Sequence, residues 1–201
     1  MNTRNALLIA AGIVVGIALT LSLGFLLRPY TYQGSLIDPP VEAEDFTLTD
    51  QDGNPYRLSD QRGKVVVMFF GYTNCPDVCP VTLTEFKRLR ANLRENASRV
   101  SFVFVTVDPE RDTPERLQAH VANYDSHIRA LSGTPEQLQA VYNAFGVYHA
   151  KVETETAAGY LVDHTSRVYV VDTQGNWRLT FPFGMEMQAM LDDIRHVLEE
   201  S

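Results

Sequence analysis

The chain is poor in the residues that mark several function classes. Its 201 residues include two cysteines, one tryptophan and five histidines. It has no block of lysine or arginine, and its formal net charge is -8 with a pI near 5.1. That balance argues against nucleic acid as a partner, which calls for a clustered basic surface. Internal repeats and low-complexity segments are absent, and 45% hydrophobic with 21% charged residues is the composition of a globular protein. Charge is also missing from Ala6 to Leu27, ALLIAAGIVVGIALTLSLGFLL. At 1.5 Å per helical residue this run reaches about 33 Å, enough to cross a hydrocarbon core of roughly 30 Å. No A-x-A cleavage site and no lipidatable cysteine follows it, and the apolar core of a signal peptide is shorter. Residues 1–28 are therefore expected to be an uncleaved, single-pass transmembrane anchor.

Arg4 precedes the run and Arg28 follows it, and the next charges are Asp38, Glu42, Glu44 and Asp45. The positive-inside bias places the N-terminus in the cytoplasm and the remainder on the periplasmic or other extracytoplasmic side of an inner (cytoplasmic) membrane. Residues 29–201 carry 15 Lys+Arg against 25 Asp+Glu, a formal charge of -10. In an oxidising compartment a thiol pair is either a disulfide or held by something else.

Residues 29–41 contain Pro29, Gly34, Pro39 and Pro40 with no periodicity and read as a linker to a domain over 42–201. FTLTDQDGNPYRL carries two short alternating runs around Asp52-Gly53, the signal of a hairpin. Val65–Phe70 and Val100–Val107 are continuous apolar runs suited to central strands covered on both faces. Pro80 predicts a helix start at or near Cys79, with Leu83, Phe86, Leu89 and Leu93 at helical spacing. Thr113-Pro114 and Thr134-Pro135 each pair a hydroxyl N-cap with proline at the first helical position. Thr134 with Gln137 forms a capping box, and Gly146 closes that helix. Ser166–Val171 and Arg178–Phe181 flank a turn, and Gln188–Glu199 is a final amphipathic helix. This order predicts an α/β fold: a thioredoxin-like mixed sheet flanked by helices, with an added N-terminal hairpin.

Both cysteines lie in VVVMFFGYTNCPDVCPVTL, at the end of an apolar strand. Cys79 is expected at a helix N-terminus, where the dipole and free amides favour thiolate. A roughly helical four-residue step separates the two Cα atoms by about 6 Å. A disulfide can span that distance, and two thiolates can equally grip one ion. A purely structural bridge over so short a loop removes little chain entropy. Among the histidines, His120, His127 and His196 read as surface or half-buried helix residues, and His149 as surface. His164 differs, because VDHT leads directly into the strand that starts at Ser166, and in thioredoxin-like folds that loop faces the active-site cysteines.

GYTNCPDVCP, then FVFVTVDPERDTPERL, then YLVDHTSRVYVVD closely resembles the Sco/SenC family of copper proteins, with its CPxxCP, VDPxRDTP and DH motifs in that order. The resemblance covers about residues 40–200 and extends to the N-terminal anchor. It implies a thioredoxin-like fold and a copper site, Cu(I) or Cu(II), made by Cys75, Cys79 and His164. It also implies copper delivery to the binuclear copper centre of cytochrome c oxidase, with that oxidase subunit, other copper chaperones and the membrane as partners. Two thiolates and an imidazole suit copper, and the same donors would also take zinc. The competing reading is a thiol-disulfide oxidoreductase that keeps the copper-ligand cysteines of the oxidase reduced through Cys75 and Cys79. A peroxidase reading of Thr73-x-Cys75 fails on spacing, one residue short of T-x-x-C. Asp77 and Asp163 read as solvated loop carboxylates, and Met185 and Met187 as packing residues rather than thioether ligands. Asp108, Arg111 and Asp112 are expected either to order the loop beside the site or, for Asp112-Thr113, to cap a helix.

Overall fold

A computed structural model describes residues 2–26, 29–155 and 159–200. Two compact units divide at residue 31. The first holds helix α1, Thr3–Leu26. Side chains at 6–11, 21, 23, 25 and 26, and all of residues 27 and 28, lie outside the described residues, so much of the expected anchor does too. Among the described residues no helix is long and apolar enough to cross a membrane.

The second unit is built on β4 (Val65–Gly71), in which every residue is buried. Pleating sends alternate side chains to opposite faces, and each face meets its own cluster. Val65, Val67 and Phe69 pack with Leu83, Phe86 and Leu89 of α2 (Val78–Leu93). Leu117 and Val121 of α3 (Pro114–Ala122) and Leu191, Ile194 and Val197 of α5 (Met187–Glu199) join them. Val66, Met68 and Phe70 pack with Leu138, Val141 and Tyr142 of α4 (Pro135–Ala144). Each such side chain contributes about 1.5–3 kcal/mol on full burial, which is why an uninterrupted apolar run becomes the middle of the sheet.

Parallel pairing joins β4 to β5 (Val100–Thr106) and β5 to β6 (Arg129–Ser132). On the other side β9 (Arg167–Val171) runs antiparallel to β4, and β10 (Asn176–Pro182) antiparallel to β9. The expected hairpin is β2 (Thr47–Asp50) and β3 (Pro55–Arg57), joined to the far edge through β6. Helices cover both faces, as the order of elements predicts. Thr113 and Thr134 cap α3 and α4, the latter with the full capping box.

Three local readings change. Part of the expected linker is a strand, β1 (Ser35–Glu42), which pairs with β10 at Ser35–Leu36 and again at Val41–Glu42. Pro39 and Pro40 fall in the interrupted stretch between, where proline lacks the N–H for a ladder bond and only an edge strand tolerates it. Helix α2 begins at Val78, beside Cys79 as expected, with Asp77 as its N-cap, and Pro80 falls at its third position instead of the first. Pro80 is tolerated at the third position because first-turn amides have no intrahelical acceptor. Finally, β7 (His149–Glu153) and β8 (Tyr160–His164) form a separate two-stranded hairpin, where a solvated hairpin or loop is expected only over 153–156 and no strand is expected at His149 or His164.

Candidate metal centre

Strands β4 and β9 are neighbours, so the carboxyl end of β4 and the chain entering β9 meet at one edge. The two motifs that are far apart in sequence thereby converge. Cys75 lies in the loop after β4, its amide donating to the carbonyl of Tyr72 at 3.2 Å. Cys79 lies in the first turn of α2 and is 0% exposed, so only Cys75, half-buried, is reachable from solvent. His164 ends β8, its Nε2 3.8 Å from Cys79 Sγ. One donor atom from each of Cys75, Cys79 and His164 lies within 4.8 Å of the others. Metal–sulfur and metal–nitrogen bonds of about 2.3 and 2.0 Å place trigonal S and N ligands roughly 3.7 Å apart. The separation of Cys79 and His164 already matches that, and small side-chain movements close the rest.

The imidazole is oriented before any ion arrives. Its Nδ1 lies 3.2 Å from the carbonyl of Thr165, which selects the tautomer protonated at Nδ1 and leaves the Nε2 lone pair toward the sulfurs. Phe69 and Tyr72 meet the ring edge-on, each at 5.8 Å between centroids.

The thiols are unequal. A hydrogen bond from the Cys79 thiol pulls the Cys75 pKa down to about 4, against the cost of burial, with help from His164 and the amides of Asp77 and Cys79. Burial, and then the neighbouring Cys75 thiolate, push Cys79 far up. These opposite shifts favour the thiolate at Cys75 and keep the shared proton on the buried sulfur. A cation displaces that proton.

Gly71 is a site residue that sequence reasoning passed over. A Cβ at Gly71 would lie 2.6 Å from Cys79 Sγ, 2.8 Å from the Phe104 ring and 2.9 Å from the Phe69 ring. Only glycine lets Cys79 sit against the end of β4. A lone glycine between an apolar strand and a cysteine motif is the signal that was available.

Asp112 does not cap α3, which Thr113 does alone by accepting from the Arg116 amide. Buried, it accepts instead from the Thr73 amide and hydroxyl at 3.2 and 2.6 Å and from the Thr106 hydroxyl at 2.6 Å. It therefore ties the cysteine loop to the end of β5, the ordering role anticipated for this motif. Asp77 and Asp163 are exposed and stand outside the donor group. Met185 and Met187 pack against the core of the α2–α5 face, as expected of packing residues.

Of the other histidines, His127 is exposed and bonded to Asp125. His196 sits beside Glu200 and Tyr32. His120 is half-buried against Phe104 and Tyr124, and burial lowers its pKa. His149, expected at the surface, is half-buried in β7 directly opposite His164, its ring 4.5 Å from that of Tyr142. A cavity of about 680 Å³ is lined by Lys64, Val100 and Arg129 near the amino ends of β4, β5 and β6, away from the thiols. The donor group stands at the opposite, carboxyl end of β4.

The SCO1/SenC family model matches residues 35–199. An SCO2-like protein of Rickettsia prowazekii is 28% identical over 191 residues, covering 92% of this chain and 93% of its own. Bradyrhizobium japonicum ScoI, solved with copper bound, superposes with a TM-score of 0.72 at 34% identity, covering 78% of this chain and 99% of that one. Apo Sco1 of Thermus thermophilus, a solution structure, gives a TM-score of 0.74 at 36% identity, covering 84% and 98%.

Proposed function

The chain belongs to the SCO1/SenC family, and from that premise we propose that it is a membrane-anchored copper carrier. Its ligands are Cys75, Cys79 and His164, and its recipient is the binuclear copper centre of cytochrome c oxidase. The observation that carries the reading is the convergence of two sulfurs and one nitrogen within 4.8 Å. Two thiolates and an imidazole satisfy Cu(I) in trigonal geometry and can hold Cu(II). Copper is cargo here rather than a resident cofactor. The Cys75 thiolate meets the ion first, because it is the accessible sulfur and is already deprotonated. Cys79 then gives up its proton to solvent and closes the chelate, and His164 supplies the neutral third donor. Three protein ligands leave a position through which a recipient's ligand enters, so the ion passes by stepwise exchange without being released. The uncharged run Ala6–Leu27 supports anchoring to the inner membrane with the domain on the extracytoplasmic side.

Anaerobic titration with Cu(II), followed by absorption, tests this reading. It calls for a one-to-one complex with a thiolate-to-Cu(II) charge-transfer band. Absence of the band, with zinc bound in its place, sinks the copper assignment.

The inequality of the thiols favours a second reading, thiol-disulfide reduction of the oxidase cysteines. The Cys75 thiolate attacks a partner disulfide and releases one partner thiolate, which takes up a proton. Cys79 then loses its proton and attacks Cys75 Sγ, freeing the second partner thiol and leaving Cys75–Cys79 oxidised by two electrons. His164 separates the readings, because copper needs its nitrogen and reduction does not.

A further inference from the structure

The motif between the cysteines and the histidine holds both halves of the site. A two-stranded sheet on its own is marginally stable in water, and β7–β8 has no ladder bonds to the main sheet. His164 ends β8, and the Nδ1 contact of its ring is to its own neighbour, Thr165. The ring therefore stands wherever β8 is held. Tyr160, the first residue of β8, is held by a compact latch. Its hydroxyl donates to the buried carboxylate of Asp108 at 2.8 Å. Asp108 also accepts from Arg111 Nε, and Arg111 Nη1 donates to the Tyr160 carbonyl at 2.9 Å. The guanidinium lies over the Tyr160 ring, 3.6 Å from its centroid, with Lys151 over the same ring at 4.8 Å. One residue further on, Asp112 clamps Thr73, two residues before Cys75.

We propose that the loop 108–113 is a two-sided brace that sets the nitrogen-to-sulfur spacing of the site. Asp112 fixes the cysteine loop. Asp108 and Arg111 grip Tyr160, and through β8 they are positioning residues for His164. The inference rests on the metal reading of Cys75, Cys79 and His164 and adds what registers the third ligand against the first two. Residues that orient a metal-ligating histidine from outside the coordination sphere change affinity by about 10–100-fold when lost.

The test uses Asp108→Asn/Arg111→Met, which removes both charges together and leaves no lone buried ion. In the reduced, metal-free protein, nuclear Overhauser contacts from the His164 ring to Phe69 and Tyr72 should weaken or vanish in this variant. Its Cu(II) affinity, measured by chelator competition, should fall about 10–100-fold. Combining it with His164→Ala should cost nothing beyond His164→Ala alone, since positioning has no value once the ligand is gone. Unchanged ring contacts, or losses that multiply in the combination, overturn the brace. Normal Cu(II) binding by His164→Ala overturns the metal reading instead, and the ring contacts still decide whether the latch holds the histidine. Should the double variant not fold, Tyr160→Phe deletes one hydroxyl and must show the same non-additivity with a smaller loss, about 3-fold.

Discussion

Replacing Gly71 by alanine adds one methyl group and should damage both the fold and the site. The added Cβ would meet Cys79 Sγ at 2.6 Å and the Phe104 and Phe69 rings at 2.8 and 2.9 Å. Comfortable contact begins near 3.5 Å, so the sulfur must retreat by about 0.9 Å or the strand must bend. All three neighbours are fully buried and packed on their far sides. Overpacking of this kind costs about 1–3 kcal/mol. For a protein of this size each kcal/mol lowers Tm by about 2–4 °C, so a fall of about 2–12 °C follows. A sulfur displaced by about 0.9 Å no longer shares a trigonal site with His164 Nε2, where metal-bond tolerance is roughly 0.2 Å. Copper affinity should therefore drop more than stability does. Thermal unfolding of the metal-free protein and chelator competition for Cu(II) measure the two effects separately. A variant with unchanged Tm and unchanged affinity would refute the close packing of Cys79 under β4.

His164→Ala should lower Cu(II) affinity at least 10-fold and abolish restoration of oxidase activity in a cell lacking the protein, while sparing disulfide reduction; full restoration would refute the carrier role. A Cys75 pKa pulled from 9.0 to about 4 predicts that alkylation of the reduced protein occurs at Cys75 with a rate nearly flat from pH 6 to 8. An ordinary thiol would gain tenfold per pH unit there, and mass spectrometry of the modified peptide distinguishes the two. The same depression makes the Cys75 thiolate a stabilising group above pH 9.0, with that contribution lost as pH falls from there toward about 4. A Cys75→Ser comparison across that window isolates it. Asp112→Asn should cost about 1–3 kcal/mol, because the amide turns an N–H toward one of three donors. Hydrogen exchange at the Thr73 amide should accelerate with it; an unaltered rate would show that Asp112 does not hold the cysteine loop.

The readable parts of this molecule were those where local chemistry and tertiary demand coincide. Val65–Phe70 reads as a central strand because apolar side chains on both faces need two layers of cover, and α2 and α4 provide them. Thr134-Pro135 with Gln137 reads as a helix start because its capping bonds close within four residues. Strand β1 was hidden by Pro39-Pro40, since its ladder lies on either side of the prolines rather than through them. The β7–β8 hairpin was legible only as a solvated hairpin or loop near Glu153, because β7 carries no apolar run and three of its five residues are exposed. Gly71 stood in the cysteine motif as a signal that was passed over, whereas the latch around Tyr160 left no local trace because Asp108 and Arg111 lie 52 and 49 residues away.

The sequence by itself determined which chemistry is present: two thiols at a helix start, a histidine before a strand, and an acidic loop motif between them. Composition and periodicity act over a few residues, so they are legible without coordinates. Only the tertiary structure decided that Cys79 and His164, 85 residues apart, stand 3.8 Å from each other. That distance follows from the seating of β9 beside β4, from the room left by Gly71 and from the brace on β8, each a matter of packing between segments rather than of local propensity.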